Sequence, residues 1–332
     1  MGQDFITISG KVIDSKSLQP LPYASLIVKK KSFATVSNGT GEFVFHIPRS
    51  SRVDTLLVTF VGYEIKELPI DNIDKSKSQE IFLVPREVLL KEVVVSNKRL
   101  SAADVIKEVL KKIPSNYPDY SHVLKGFFRD WKTVDFNEGE KEDDNGVLIE
   151  AAINVVEPGY SKKGIARRED IYISEIRRSQ LPEGAGWNYH NSLPGLLKAN
   201  YVKYKESKDF AVKDPLFSFP NNFVFEFPDS SNDDRYIIIE ASAPNTELVY
   251  TIYIDPSDYA IERIDFKNKK EFKRGEWVIK MINNTQRFRK WNGKWYLLYI
   301  KRNWQIENLD LKSGKVLRKE DYFMEFLVND IL

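Results

Sequence analysis

No cysteine occurs among the 332 residues. Disulfides and thiolate metal sites are therefore excluded, and the redox compartment is left open. Histidine is almost as scarce: His46, His122 and His190 are the only three. None has a second ligand at helical or hairpin spacing, and no His-x-x-Glu occurs, so no zinc site is expected. No apolar run reaches about 18 residues, so no transmembrane helix is expected. An excess of one charge is missing too. Fifty Lys and Arg stand against 48 Asp and Glu, a net charge of +2, which argues against a dedicated nucleic-acid binder. No G-x-S-x-G elbow is present, although a triad assembled in space leaves no spacing to test. Gly39-x-Gly41 lacks the following helix that a phosphate loop needs. The carboxylate pairs Glu169-Asp170, Asp233-Asp234 and Glu320-Asp321 lie in turn-like or alternating charged contexts and read as solvated. The expectation is a chain with no catalytic residue, no metal ligand and no cofactor.

What is present is a long series of short strands. The length suits two or three domains, and a hydrophobic fraction of 42% makes a sizeable core affordable. Gly10 to Asp14 alternates and is β-branched, and Tyr23 to Val28 is a second strand closed by Lys29-Lys-Lys31. Pro20-Leu-Pro22 marks a turn and an edge. Asn38-Gly39 is expected to supply positive φ, and Gly41 to let the chain re-enter a strand at Phe43-Val-Phe45. Leu56 to Val61 and Glu80 to Val84 complete the set, which reads as a small β-sandwich.

The residues "GKVID…PLPYASLIVK…ATVSNGTGEFVFHIP…LLVTFVGYE…IFLVP" resemble the carboxypeptidase-regulatory-like domain, a transthyretin-like β-sandwich, over roughly residues 5 to 85. The resemblance implies a non-catalytic companion domain of Bacteroidota-type outer-membrane transporters and related envelope proteins. Members often carry Asp-x-x-Gly-x-Phe at the turn; Asn38 takes the acidic place here, against a calcium-supported turn. Pro85 to Val95 resembles the "L-x-E-V-V-V" segment that follows this sandwich in the transporters, but no plug and barrel come next, so transport is not carried over. Met1-Gly2 ahead of Gln3-Asp4 fits a chain whose signal peptide has been removed. The myristoylation pattern fails at Ile6.

Ser101 to Asp104 begins a helix in capping-box fashion, with Val105, Ile106, Val109, Leu110 and Ile113 as its apolar face and Pro114 as its stop. "SAADVIKEVLKKIPSNYP…LKGFFRDW" resembles a segment of envelope proteins that pair this helix with the sandwich. Strands follow at Lys125 to Val134, Val147 to Val156 and Glu169 to Ser179, with Asn137 to Gly146 as a solvated acidic tip that fails the EF-hand pattern. Leu181 to Phe219 is the least regular stretch. It contains a short helix capped by Asn191 or Ser192, with Leu193, Leu196, Leu197 and Tyr201 buried, and it is where a ligand site would be sought. Further antiparallel strands run from Asn222 to Val328, with turns at Asp255-Pro-Ser-Asp258, Asn292-Gly293 and Ser313-Gly314. "VYTIYIDPSDYAIERIDF…RFRKWNGKWYLLYIKRNWQIE" resembles the lipoprotein-carrier-like half-barrel over roughly residues 123 to 330.

The fold class read here is mainly β: a transthyretin-like sandwich (residues 1–85), a linker strand and connecting helix (86–122), and a curved antiparallel, half-barrel-like α+β sheet (123–332). Two surfaces are candidates. Ile252, Ile254, Ile264, Phe266, Tyr296, Leu298, Ile300 and Trp304 alternate as an apolar face, a core in the plainer reading and a groove for an acyl chain or apolar peptide in the one the carrier resemblance implies. Lys269, Lys270, Lys273, Arg274, Arg287 and Arg289 form a basic group near Trp277 and Trp291, suited to an anionic partner or lipid headgroup, or simply an exposed strand face. The leading expectation is a non-enzymatic binding or docking component, periplasmic or outer-membrane-associated, with an envelope protein as partner. Carriage of a lipid or lipoprotein acyl chain is the alternative, and a hydrolase the remote one.

Overall fold

A computed structural model describes the chain except residues 1–4, 23, 30, 32, 39, 61–62, 86–99, 137–146, 161–168, 179–191, 204–215, 218–219, 230–234 and 245. The segment expected at Pro85 to Val95, the acidic tip at Asn137 to Gly146 and Asp233-Asp234 lie wholly or largely outside the described residues. The chain divides into two compact units. The first is Met1–Leu90 with Leu124–Phe127 and Leu327–Leu332; the second is Lys91–Val123 with Phe128–Phe326. The fold is mainly β.

Residues 5–83 form seven strands: β1 (Phe5–Asp14), β2 (Ser25–Val28), β3 (Ala34–Val36), β4 (Glu42–Pro48), β5 (Thr55–Thr59), β6 (Lys66–Pro69) and β7 (Gln79–Leu83). They make two sheets, ordered β4-β1-β7 and β3-β2-β5-β6. β4 shows why: Phe43, Phe45 and Ile47 are buried and alternate with exposed Glu42, Val44 and His46, the period of a strand with one wet face. These side chains join Ile8, Val12, Leu26, Val28, Leu56, Val58, Ile81 and Leu83 in one core.

In the turn before β4, Gly41 has a positive φ (78°), and a Cβ there would meet Val12 O at 2.9 Å. Asn38 caps the turn: its Oδ1 accepts from Thr40 N (2.9 Å), Thr40 Oγ1 (2.7 Å) and Glu42 N (2.9 Å). Gly39 lies outside the described residues.

The second set of elements begins with α1 (Ala102–Asn116), then β8 (His122–Phe136), β9 (Val147–Glu157) and β10 (Asp170–Arg178). α2 (Ser192–Lys198) follows, then β11 (Val224–Glu226), β12 (Ile237–Ser242), β13 (Leu248–Ile254), β14 (Ile261–Asn268), β15 (Phe272–Arg274), β16 (Trp277–Trp291), β17 (Lys294–Leu309) and β18 (Val316–Ile331). Ser101 caps α1, accepting from Asp104 N. Pro114 does not stop the helix but lies inside its last turn, and Tyr117 N donates to Ile113 O beyond it. Its missing N–H costs a single bond there.

The strands form an open, curved eleven-stranded sheet, ordered β10-β9-β8-β18-β17-β16-β14-β13-β12-β11, with β15 paired to β16. Asn292 (φ 46°) and Gly293 (φ 80°) turn β16 into β17 as the sequence required.

Candidate functional site

The central strands of the large sheet are in register, and register decides which side chains share a face. Ile252 of β13 stands opposite Ile264 of β14, and Tyr250 opposite Phe266. Ile264 is opposite Gln286 of β16, and Gln286 opposite Ile300 of β17. With Ile254 and Trp304, these form one apolar face, and every one of them is at most 7% exposed.

The chain's own segments cover that face. Leu196 and Leu197 of α2 are buried. Just beyond them, the Tyr201 ring packs edge-on against Tyr250 (5.5 Å) and Phe266 (6.1 Å). Tyr201 N donates to Gln286 Oε1 (3.1 Å), and Gln286 Nε2 donates to Ala199 O. At the end of α1, the Tyr117 hydroxyl donates to Ile261 O (3.0 Å) and accepts from Ile261 N (2.9 Å), while its ring meets Phe288. A buried Tyr satisfied in both directions is a packing element.

Two of the eight residues read as a groove belong elsewhere. Arg287 pairs with Tyr299 but Phe288 with Leu297, a bulge that holds Leu298. Alternation therefore breaks, and Tyr296, opposite Arg289, is out of phase with Ile300. Its hydroxyl lies 2.5 Å from that of Tyr120, and its ring meets His122 edge-on.

The opposite face carries a row of charge. Arg263 stands opposite Arg287, which stands opposite Tyr299; Asp265 is opposite Thr285, which is opposite Lys301. Arg263 bonds Asp265 (2.5 Å), and Thr285 Oγ1 donates to Asp265 Oδ1 (3.0 Å). Tyr299 OH donates to Glu325 Oε2 (2.9 Å), whose other oxygen takes Arg129 Nη1 (3.0 Å), and Arg129 Nε reaches Glu150 (3.1 Å). Thr285, Arg287, Lys301 and Glu325 are all at most 3% exposed. Burial, with Arg263 beside it, lowers the Arg287 pKa to about 10, although Asp265 opposes this. Burial lowers Lys301 to about 8 against the pull of Asp265. Burial also raises Glu325, with Arg129 and Tyr299 opposing.

A second buried network gathers residues from distant parts of the chain. Lys203 Nζ bridges Glu157 (3.3 Å) and Glu169 (2.7 Å), and His122 Nε2 lies 3.6 Å from the same Glu157 oxygen. Burial lowers the His122 pKa, with Glu157 opposing. The sequence reads Glu169 and Glu320 as solvated; both are ion-pair members, Glu169 half-buried beside Lys203 and Glu320 buried with Lys132 (3.2 Å) and Arg318 (2.6 Å). Among the described residues, no three His, Asp or Glu side chains group to hold a metal ion.

The basic group splits. Lys269, Lys270, Lys273 and Arg274 are exposed around β15, with Lys270 paired to Glu247 (3.2 Å). Arg289 is half-buried, and Arg287 is buried at 3% exposure in the charged row, so it does not belong to an exposed basic surface. The sequence did contain a signal for that row: ERIDF and TQRFR place charge at every second position, the polar phase of the same alternation. The His122–Glu157–Lys203 network has no such signal.

Residues 8–95 match the family model of the CarboxypepD_reg-like domain. That family is a regulatory or binding Ig-like fold. A search of curated proteins finds no match. Among solved structures, the chain is similar at 6% identity to MucB in complex with MucA(peri), over 68% of this chain and 92% of that one, with a TM-score of 0.20. It is similar at 8% identity to the MucA/MucB complex of Pseudomonas aeruginosa, over 68% and 93%, also with a TM-score of 0.20. At that score the likeness carries no argument. Among the described residues, no helix is long and apolar enough to cross a membrane.

Proposed function

We propose that this protein is a non-enzymatic binding or docking component of an outer-membrane-associated assembly, facing the periplasm, with its CarboxypepD_reg-like domain as the protein-contact module. The observation that carries this reading is the filling of the apolar face. Ile252, Ile264, Phe266 and Ile300, which carriage of an acyl chain needs open, are packed beneath α2 and Tyr201 of the same chain. The titratable groups with displaced pKa values, Lys301 above all, are buried in ion-paired rows, which suits strand alignment better than attack on a substrate. Lys269, Lys270, Lys273 and Arg274 suit an anionic surface on the docked protein.

The test combines native mass spectrometry and solvent extraction of the full chain with photo-crosslinking from Lys273 and Val44 in envelope preparations. The expected result is a discrete protein adduct and no stoichiometric acyl species. One acyl chain per protein, released by an apolar competitor, would overturn docking in favour of carriage. Esterase or peptidase turnover abolished by Lys301→Met in a folded variant would overturn the non-enzymatic reading.

A further inference from the structure

The segment that covers the apolar face ends in a buried charge. After α2, Gln286 Nε2 donates to Ala199 O and its Oε1 accepts from Tyr201 N (3.1 Å). Asn200 Nδ2 donates to the Tyr160 hydroxyl (3.2 Å), and Lys203 N donates to Asn200 Oδ1 (3.2 Å). Lys203 itself is 2% exposed, with Nζ 2.7 Å from Glu169 Oε1 and 3.3 Å from Glu157 Oε2. His122 begins β8 and Glu157 ends β9, neighbouring strands of the sheet, whereas Lys203 lies in no strand.

One carboxylate oxygen here has two basic groups within reach. His122 Nδ1 is 3.0 Å from Tyr120 O. A carbonyl only accepts, so Nδ1 carries the ring proton and Nε2 is bare. Nε2 lies 3.6 Å from Glu157 Oε2, the oxygen that Lys203 approaches, and that oxygen is buried and accepts no hydrogen bond. The other titratable groups against the ring are the phenols of Tyr120, on its own segment, and Tyr296 of β17, both edge-on. Behind Glu157 stand Tyr160 and, across Lys203, Glu169.

While His122 is neutral, Lys203 is held between two carboxylates. A proton on His122 offsets one of them, and the attraction that seats Lys203 falls. The His122 pKa carries the same relation from the other side. Burial lowers it most, Glu157 and the Tyr120 carbonyl oppose, and Lys203 lowers it further. Linkage is reciprocal, so a proton on His122 weakens the seat of Lys203 by as much as Lys203 disfavours the proton. The change falls below 6.5, the ordinary imidazole value, because the folded pKa lies beneath it.

We propose that His122, Glu157 and Lys203 form an acid-sensitive latch on the segment over the apolar face: protonation of His122 weakens the hold on Lys203, so that residues 199–203 open more often in acid. α2 stays in place, since Leu193, Leu196 and Leu197 are buried and their burial exceeds what one proton can supply. What opens is the seat of Tyr201 over Tyr250 and Phe266, so acid uncovers one end of the apolar face. This inference goes beyond the docking reading and does not rest on it.

Amide hydrogen exchange of the full chain tests it, comparing residues 199–203 with β13 beneath them at about pH 7.5 and about pH 5, corrected for the intrinsic pH dependence of exchange. In the wild type, protection of 199–203 is expected to fall about three- to tenfold in acid, a linkage of up to about one pKa unit, while β13 holds. His122→Gln keeps a donor for the Tyr120 carbonyl but takes no proton, and its protection at 199–203 is expected not to change with pH. The His122 ring is also titrated by NMR: Lys203→Met is expected to raise its pKa, and Lys203→Arg to leave it low. Unchanged circular dichroism confirms that the variants fold. Protection of 199–203 that is flat with pH, or that falls equally in His122→Gln, overturns the proposal. So does a His122 pKa that Lys203→Met leaves unmoved.

Discussion

Ser37 shows how much a single hydroxyl holds in this fold. It is fully buried, and its Oγ accepts from Ala24 N and donates to Leu21 O, both at 2.8 Å. Ser37→Ala leaves two buried backbone groups unpaired, so a loss of about 1–3 kcal/mol is expected by urea unfolding. Asp14 is held in a comparable way. Burial pushes its carboxyl up, but hydrogen bonds from Tyr63 OH and from Lys16 and Ser17 N–H outweigh this and keep its pKa below the ordinary 3.8. A depressed carboxylate pKa gives stability that is present above the unfolded value and lost as pH falls through the folded one. Tyr63→Phe is therefore expected to lower stability near neutrality and to soften the loss in acid, read from urea unfolding between pH 2 and 6. Neither role was legible in the sequence. Ser37 stands one position before the expected turn at Asn38-Gly39, where nothing marks a buried hydroxyl, and the contact between Asp14 and Tyr63 spans 49 positions.

At the scale of elements, α2 decides between a core and a groove. Leu196 is fully buried. If the helix is a permanent part of the core, Leu196→Ala costs about 2–5 kcal/mol, measured by chemical unfolding. A cost below about 1 kcal/mol would mean the helix lies loosely over an apolar hollow. The helix itself was readable, because Leu193, Leu196, Leu197 and Tyr201 recur at helical spacing after a capping residue. The strands were readable from their alternation and from Asn292-Gly293. The bulge at Leu298 was not, since nothing in WYLLYI marks where two residues will oppose one, and it moved Tyr296 off the expected face. Pro114 was misread for a related reason: a proline in a final turn forfeits one hydrogen bond, which the packing of Val109 and Ile113 outweighs.

For the molecule as a whole, buried charge predicts an unusual pH profile. Burial, with Asp255 close by, raises Glu262 to about 8, although Tyr236 donates to it. A raised carboxyl pKa gives stability that is complete below the unfolded value and lost as pH rises through 8. Lys301, lowered to about 8, acts in the opposite sense: between about 8 and 10 the unfolded chain holds a proton that the folded one has released, so stability climbs. Burial lowers the His122 pKa from 6.5, so His122 contributes a rise confined below 6.5. The unfolding free energy is thus expected to fall from about pH 6.5 to 8 and rise from 8 to 10. Glu262→Gln should flatten the falling limb and Lys301→Met the rising one, checked by urea unfolding at half-unit pH steps. A monotonic profile would show that these groups keep their ordinary pKa values.

The amino-acid sequence by itself determined the mainly β class, the N-terminal sandwich, both helices and most turns. Each of these follows from periods of two or 3.6 and from a few Gly, Asn and Ser positions, all local in the chain. Tertiary structure alone decided that the apolar face is covered from within, that Arg287 and Glu320 are buried, and that His122 and Lys203 meet at one Glu157 oxygen. Those outcomes depend on which strand lies beside which, and on what covers each face, and no window along the chain contains that information.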